Sequence, residues 1–333
     1  MRRTSRRGAV ERILALLLGV WMIGTLTACG TETFSMQYDY EYPVSSYKIL
    51  KADESDLAKS FASSLCVTDA NNAGITTVNM SNANAAGLFN VSTGETIYAK
   101  NVHTKYNPAS LTKVMTALLA LKYGELDSNL TVSENAVHLP SGASNCGLKP
   151  GDRLTMDQAL HALLICSAND AAIVIAEGIS GSVEAFAELM NEEAYRIGAT
   201  NCHFMNPHGL TQEDHLITAY DMYLIFNAAC QYDVFTEIIS MNSYTTQYFD
   251  KSGSVVEMSV KTTNQYLNGN CKTPDRITVI GGKTGTTNAA GQCLILLAKD
   301  IYGNSYIGII LGSIERAVLY EQMTGLLGEV YKQ

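Results

Sequence analysis

The sequence predicts an α+β domain, on three observations: paired strand-like runs early in the chain, a strand and hairpin near its end, and apolar residues at helical spacing between them. Strands at both ends with helices between join the two ends of the domain in one sheet. The stretch "AAGLFNVSTGETIYAKN" reads as two strands around the turn Ser92-Thr93-Gly94. Helical segments follow at 110–122, 155–166, 170–178 and 182–197. In the first, Leu111, Val114, Met115, Leu118 and Leu119 form one stripe and Gly124 supplies a stop. Thr155 and Gln158 make a capping box for the second. In the fourth, Val183, Phe186, Met190, Ala194 and Ile197 form a core-facing stripe. "KTGTTNAAGQCLILLAKDIYGNSYIGIILGSI" reads as a strand and then a hairpin turning near Gly303-Asn304, and an amphipathic helix from Glu315 to Tyr331 follows.

At 333 residues, 47% hydrophobic and 17% charged, the chain has the composition of a folded protein rather than a disordered one. Residues 1–12 carry five arginines and one glutamate, and Ile13 to Ala28 is free of charge. That is the layout of a secretory signal; 16 apolar residues fall short of the roughly 20 that span a bilayer. The run ends in "LTAC", which resembles the lipobox of bacterial lipoproteins, with Cys29 as the lipidated first residue of the mature protein. Loss of residues 1–28 takes the net charge from −9 to −13, which argues against nucleic-acid binding. A diacylated Cys29 would anchor the protein stably on the outer face of the cytoplasmic membrane. Residues 29–82, rich in Ser, Thr, Asn, Tyr and Asp, read as a partly ordered spacer with one short helix near 53–65. The domain proper is expected from residue 83 to 333. Seven cysteines follow Cys29 without a C-x-x-C pair, so neither a zinc nor a redox site is expected, and Cys293 reads as a buried strand residue.

Ser110 and Lys113 stand three apart at the start of the first helix, so their side chains are neighbours. Two further motifs give the pair a context. "CSAND" places Ser167 and Asn169 at a junction between helices, and "GGKTGTT" places Lys283, Thr284, Gly285 and Thr286 at the opening of a strand. S-x-x-K, S-x-N and K-T-G in this order are the motif set of penicillin-binding proteins and serine β-lactamases. With "PASLTKVMTALLAL", "GLKPGD", "LLICSANDAAIVIAE", "NPHGL" and "GGKTGTTNAAGQCL", the chain from about Ala83 resembles the low-molecular-mass penicillin-binding proteins, the D-alanyl-D-alanine carboxypeptidase family. The resemblance implies a β-lactamase/transpeptidase-like fold, an antiparallel sheet flanked by helices with an all-helical lobe beside it. It implies a serine peptidase acting on peptidoglycan stem peptides ending in D-Ala-D-Ala, with β-lactams as covalent inhibitors and no cofactor. Departures are visible. Thr286 stands where many members carry histidine, and the arginine some members use on the substrate carboxylate has no clear counterpart in "KTTNQYL". Many members also add a C-terminal β domain and a membrane helix, a part the N-terminal lipid would play here.

The chemistry asks for these residue types. A serine hydroxyl is a weak nucleophile and needs a base within hydrogen-bond reach. Lysine serves only if burial and a nearby positive charge, such as Lys283, lower its pKa. Implied by the resemblance, Ser167 relays a proton to the leaving amine and Asn169 orients the substrate amide or Lys113. The backbone N–H groups of Ser110 and Thr286 form the oxyanion hole, and Lys283, Thr284 and Thr286 face the terminal carboxylate. A serine β-lactamase is the sibling alternative, disfavoured because no glutamate after Asn169 has asparagine four residues on. A non-catalytic, lipid-anchored sensor of peptidoglycan or β-lactams is the alternative of another class. His203, His208 and His215 are too irregularly spaced for a metal site, and His208 reads as a structural loop residue.

Overall fold

The main sheet runs β2-β1-β9-β8-β7, antiparallel throughout, and brings the two ends of the domain side by side. Its strands are β1 (Ala85–Asn90), β2 (Glu95–Lys100), β7 (Ile277–Thr287), β8 (Gly291–Asp300) and β9 (Ser305–Ser313). The computed structural model describes residue 62 and residues 65–331. The signal segment, Cys29 and nearly all of the 53–65 helix lie outside the described residues.

Side chains alternate between the faces of a strand, and here both faces are covered. Phe89, Cys293, Ile295, Leu297, Ile307 and Ile309 face a large core, while Leu88, Leu294, Leu296 and Ile310 face a smaller one. The smaller core is closed by α7 (Arg316–Gly328), through Leu319, Met323, Leu326 and Leu327. Burial on both sides explains why β8 and β9 read as continuous apolar runs. The larger core belongs to the helical lobe: α1 (Thr112–Tyr123), α2 (Met156–Ile165), α3 (Asn169–Ser180), α4 (Val183–Arg196), α5 (Ala219–Ala229) and α6 (Asp233–Ser240).

The first four helices fall where the sequence placed them, and Thr155 and Gln158 form the expected reciprocal cap. Four corrections follow from packing. Helix α1 carries no single stripe: every residue from Thr112 to Ala120 is buried, as in a helix enclosed on all sides. The K-T-G motif lies towards the C-terminal end of the long strand β7, not at a strand's opening. A second sheet, β3 (Asn129–Thr131), β4 (Arg153–Thr155), β5 (Ser243–Phe249) and β6 (Val255–Lys261), was not expected, nor were α5 and α6. Finally, residues 65–82 are built into the domain rather than extending from it. Ala73 bridges Ala99 of β2, Thr76 bonds Glu329 and Met80 is buried. All seven cysteines after Cys29 are free thiols, Cys293 buried as expected.

Candidate active site

Three elements meet at Ser110: the turn Ala109–Leu111 that opens α1, the α2–α3 junction, and the outer strand β7. Gly285 lets β7 come this close, since a Cβ there would sit 2.9 Å from Ser110 N. Two residues are held in the left-handed region that non-glycine residues avoid: Ala109 (φ 49°) beside the nucleophile position, and Ser167 (φ 64°). Such strain concentrates at functional sites.

Lys113 is completely buried. Its Nζ lies 2.9 Å from Ser110 Oγ and donates to Asn169 Oδ1 at 2.6 Å and to the His208 carbonyl at 2.7 Å. Burial, reinforced by the charge of Lys283, holds its pKa well below the ordinary lysine value. A neutral amine has two N–H bonds and one lone pair. With both N–H groups taken by Asn169 and His208, the lone pair is left for the Ser110 hydroxyl. Lys283 is likewise enclosed, and its Nζ donates to Ser167 Oγ and to the Thr284 carbonyl, both at 2.9 Å. Desolvation brings it down to about 7. The charge of Lys283 adds to burial in favouring the neutral form of Lys113.

The side chains open into a cleft of about 310 Å³ lined by Ser110, Ser167, Thr284, Gly285, Thr286 and, unexpectedly, Arg316. Thr284 Oγ1 meets Thr263 Oγ1 at 2.5 Å, and Thr286 Oγ1 donates to Gln292 Oε1 at 2.7 Å. Lys283, expected to face the substrate carboxylate, does not line the cleft but lies behind its wall, 1% exposed and hydrogen-bonded to Ser167 and Thr284. The other expected site residues converge as the motifs imply. Two contributors were missed. Arg316 sits at the first position of α7, 33 residues beyond Lys283 and distant along the chain from "KTTNQYL", whose Thr262, Thr263 and Gln265 line the same cleft. His208 contributes its backbone carbonyl, which no side-chain motif could reveal. Among the described residues no cluster of metal-ligating side chains occurs.

A serine beside a buried lysine of lowered pKa, a second serine beside a second lysine and an antiparallel sheet are the features of the serine acyl-transfer enzymes of the β-lactamase/transpeptidase-like fold. The sequence profile of the D-alanyl-D-alanine carboxypeptidases matches residues 71–314, and the chain belongs to that family. The chain is 34% identical to D-alanyl-D-alanine carboxypeptidase DacF of Bacillus subtilis over 258 residues, 75% of this chain and 62% of that protein. With DacC of Escherichia coli it shares 31% over 250 residues, 72% of this chain and 59% of the relative. The chain thus spans about three fifths of the length of these relatives. Among solved structures, a Streptomyces DD-transpeptidase superposes with a TM-score of 0.70 at 27% identity, covering 76% of this chain and 98% of that one. A D-alanyl-D-alanine carboxypeptidase from Mycobacterium tuberculosis superposes with 0.69 at 26% identity, covering 80% and 97%.

Proposed function

We propose that the protein is a serine D-alanyl-D-alanine carboxypeptidase that trims the terminal D-alanine of peptidoglycan stem peptides. The observation carrying this is the enclosed Lys113, with its amine 2.9 Å from Ser110 Oγ. Ser110 Oγ attacks the carbonyl of the penultimate D-alanine while its proton passes to Lys113. The oxyanion forms against the N–H groups of Ser110 and Thr286. As the C–N bond breaks, the departing D-alanine amine takes a proton through Ser167, which Lys283 holds in place. Asn169 fixes Lys113, and water then hydrolyses the Ser110 ester. Release of D-alanine from a soluble peptide ending in D-Ala-D-Ala, followed by a coupled D-amino-acid assay, tests the reading. Acylation by a β-lactam without peptide turnover would instead make the chain a sensor.

Arg316 supplies the exposed cation on the cleft wall and is assigned to the substrate's terminal carboxylate, with Thr284 and Thr286 beside it. A hydrogen bond to a charged group contributes about 1.5–3 kcal/mol, so Arg316→Ala should lower kcat/KM by about 10- to 100-fold. A substrate whose terminal carboxylate is an amide should lose far less, because the group Arg316 recognises is already missing. Equal losses on both substrates would remove Arg316 from this role.

Export through the signal segment and lipidation at Cys29 complete the proposal. Metabolic labelling with a clickable fatty acid should mark the full chain but not the Cys29→Ser variant. Equal labelling of both would end the lipoprotein reading.

A further inference from the structure

His215 has no part in the proton path above, yet it is 1% exposed and hydrogen-bonded at both ring nitrogens. The Met205 N–H donates to Nδ1 at 3.0 Å, and Nε2 lies 2.8 Å from Thr112 Oγ1. A backbone N–H can only donate, so Nδ1 is the acceptor and the ring proton sits on Nε2. Nε2–H therefore donates to Thr112 Oγ1. The Thr112 hydroxyl proton is then committed to its other partner, the Ala109 carbonyl, at 2.9 Å. Burial, with His203 nearby, takes the imidazole down to about 4, so this single-proton form holds at neutral pH.

The Ala109 carbonyl is one end of the peptide group whose other end is the Ser110 N–H. The peptide is planar, so the direction of the carbonyl sets the direction of that N–H. Ala109 sits at φ 49°, in the left-handed region that an alanine ordinarily avoids. Gly209 closes on the same carbonyl, and a Cβ there would lie 1.9 Å from it. We infer that His215 is a positioning residue for the nucleophile turn: through Thr112 it locks the Ala109–Ser110 peptide plane and so aims the Ser110 N–H into the oxyanion hole. The inference rests on the reading of Ser110 as nucleophile and assigns His215 no contact with substrate.

The test uses the full chain, a chromogenic β-lactam for acylation, and a boronic acid whose tetrahedral adduct on serine places an oxygen at the oxyanion donors. Thr112→Val keeps the shape of the buried side chain but removes the link. Losing an oxyanion donor outright costs about 10²–10³ in rate, and misaiming one costs less, so a drop of about 10- to 50-fold in the acylation rate constant is expected. Boronate affinity should fall in parallel, while the dissociation constant of the pre-acylation complex stays within about threefold. Thr112→Ser, which keeps the hydroxyl, should restore both. His215→Gln can still donate to Thr112 and should outperform His215→Asn, which is too short to reach it. Folded Thr112→Val with wild-type acylation and boronate affinity would overturn the proposal. So would a loss confined to the pre-acylation complex. A wild-type chain that is never acylated at Ser110 would overturn the nucleophile assignment first, and this inference with it.

Discussion

The Ser110→Ala variant, incubated with a penicillin and weighed as an intact protein, is expected to show no covalent adduct, where the wild type gains the mass of one ring-opened β-lactam. The expectation follows from the site's construction. A β-lactam presents a strained amide beside a carboxylate, the same two features as a D-Ala-D-Ala terminus. The cleft offers one activated hydroxyl together with Thr284, Thr286 and Arg316. Ser167, the second serine, accepts a hydrogen bond from Lys283, whose Nζ also donates to the Thr284 carbonyl. Ser110 is the serine whose hydroxyl meets Lys113, the amine that burial and the charge of Lys283 hold well below the ordinary lysine pKa. An adduct of unchanged mass and rate on Ser110→Ala would place the nucleophile elsewhere.

Lys113→Arg should lower acylation by at least about 10²-fold, the scale of losing a general base. Arginine keeps the positive charge and the ability to donate to Asn169 and His208, but it does not deprotonate in proteins. The substitution thus separates base chemistry from charge. With Lys113 as the base, acylation needs it neutral, so kcat/KM should rise with pH through its lowered pKa, well below the range in which an ordinary lysine titrates. Lys283 favours an anionic substrate only while protonated, so kcat/KM should decline above about 7. A bound carboxylate stabilises the protonated form of Lys283, so the decline in kcat should come at higher pH than the decline in kcat/KM. Near-native acylation by Lys113→Arg, or a profile still rising through pH 10, would reduce Lys113 to a structural residue.

What could be read from the sequence depended on range. The spacing of Ser110 and Lys113 guarantees contact because one helical turn brings them together. The Thr155–Gln158 cap is equally local, and the apolar runs of β8 and β9 declare burial on both faces. Strands β5 and β6 escaped because their exposed faces carry alternating polar residues, as in "SYTTQYF", with too weak an apolar signal to stand out.

The sequence by itself determined that Ser110 and Lys113 are neighbours, the motifs that hold the second serine and lysine, the α+β class, and the family these motifs carry. Only the tertiary structure decided what surrounds them. Lys283 meets Ser167 across 116 residues, Thr112 meets His215 across 103, and Arg316 reaches the cleft because α7 starts where β9 leaves the sheet. The complete burial of Lys113, which lowers its pKa, comes from helices packed on every side of α1. The physical reason is the same throughout. Side-chain type and helical spacing are written along the chain, whereas desolvation and long-range hydrogen bonds exist only once distant segments share one interior.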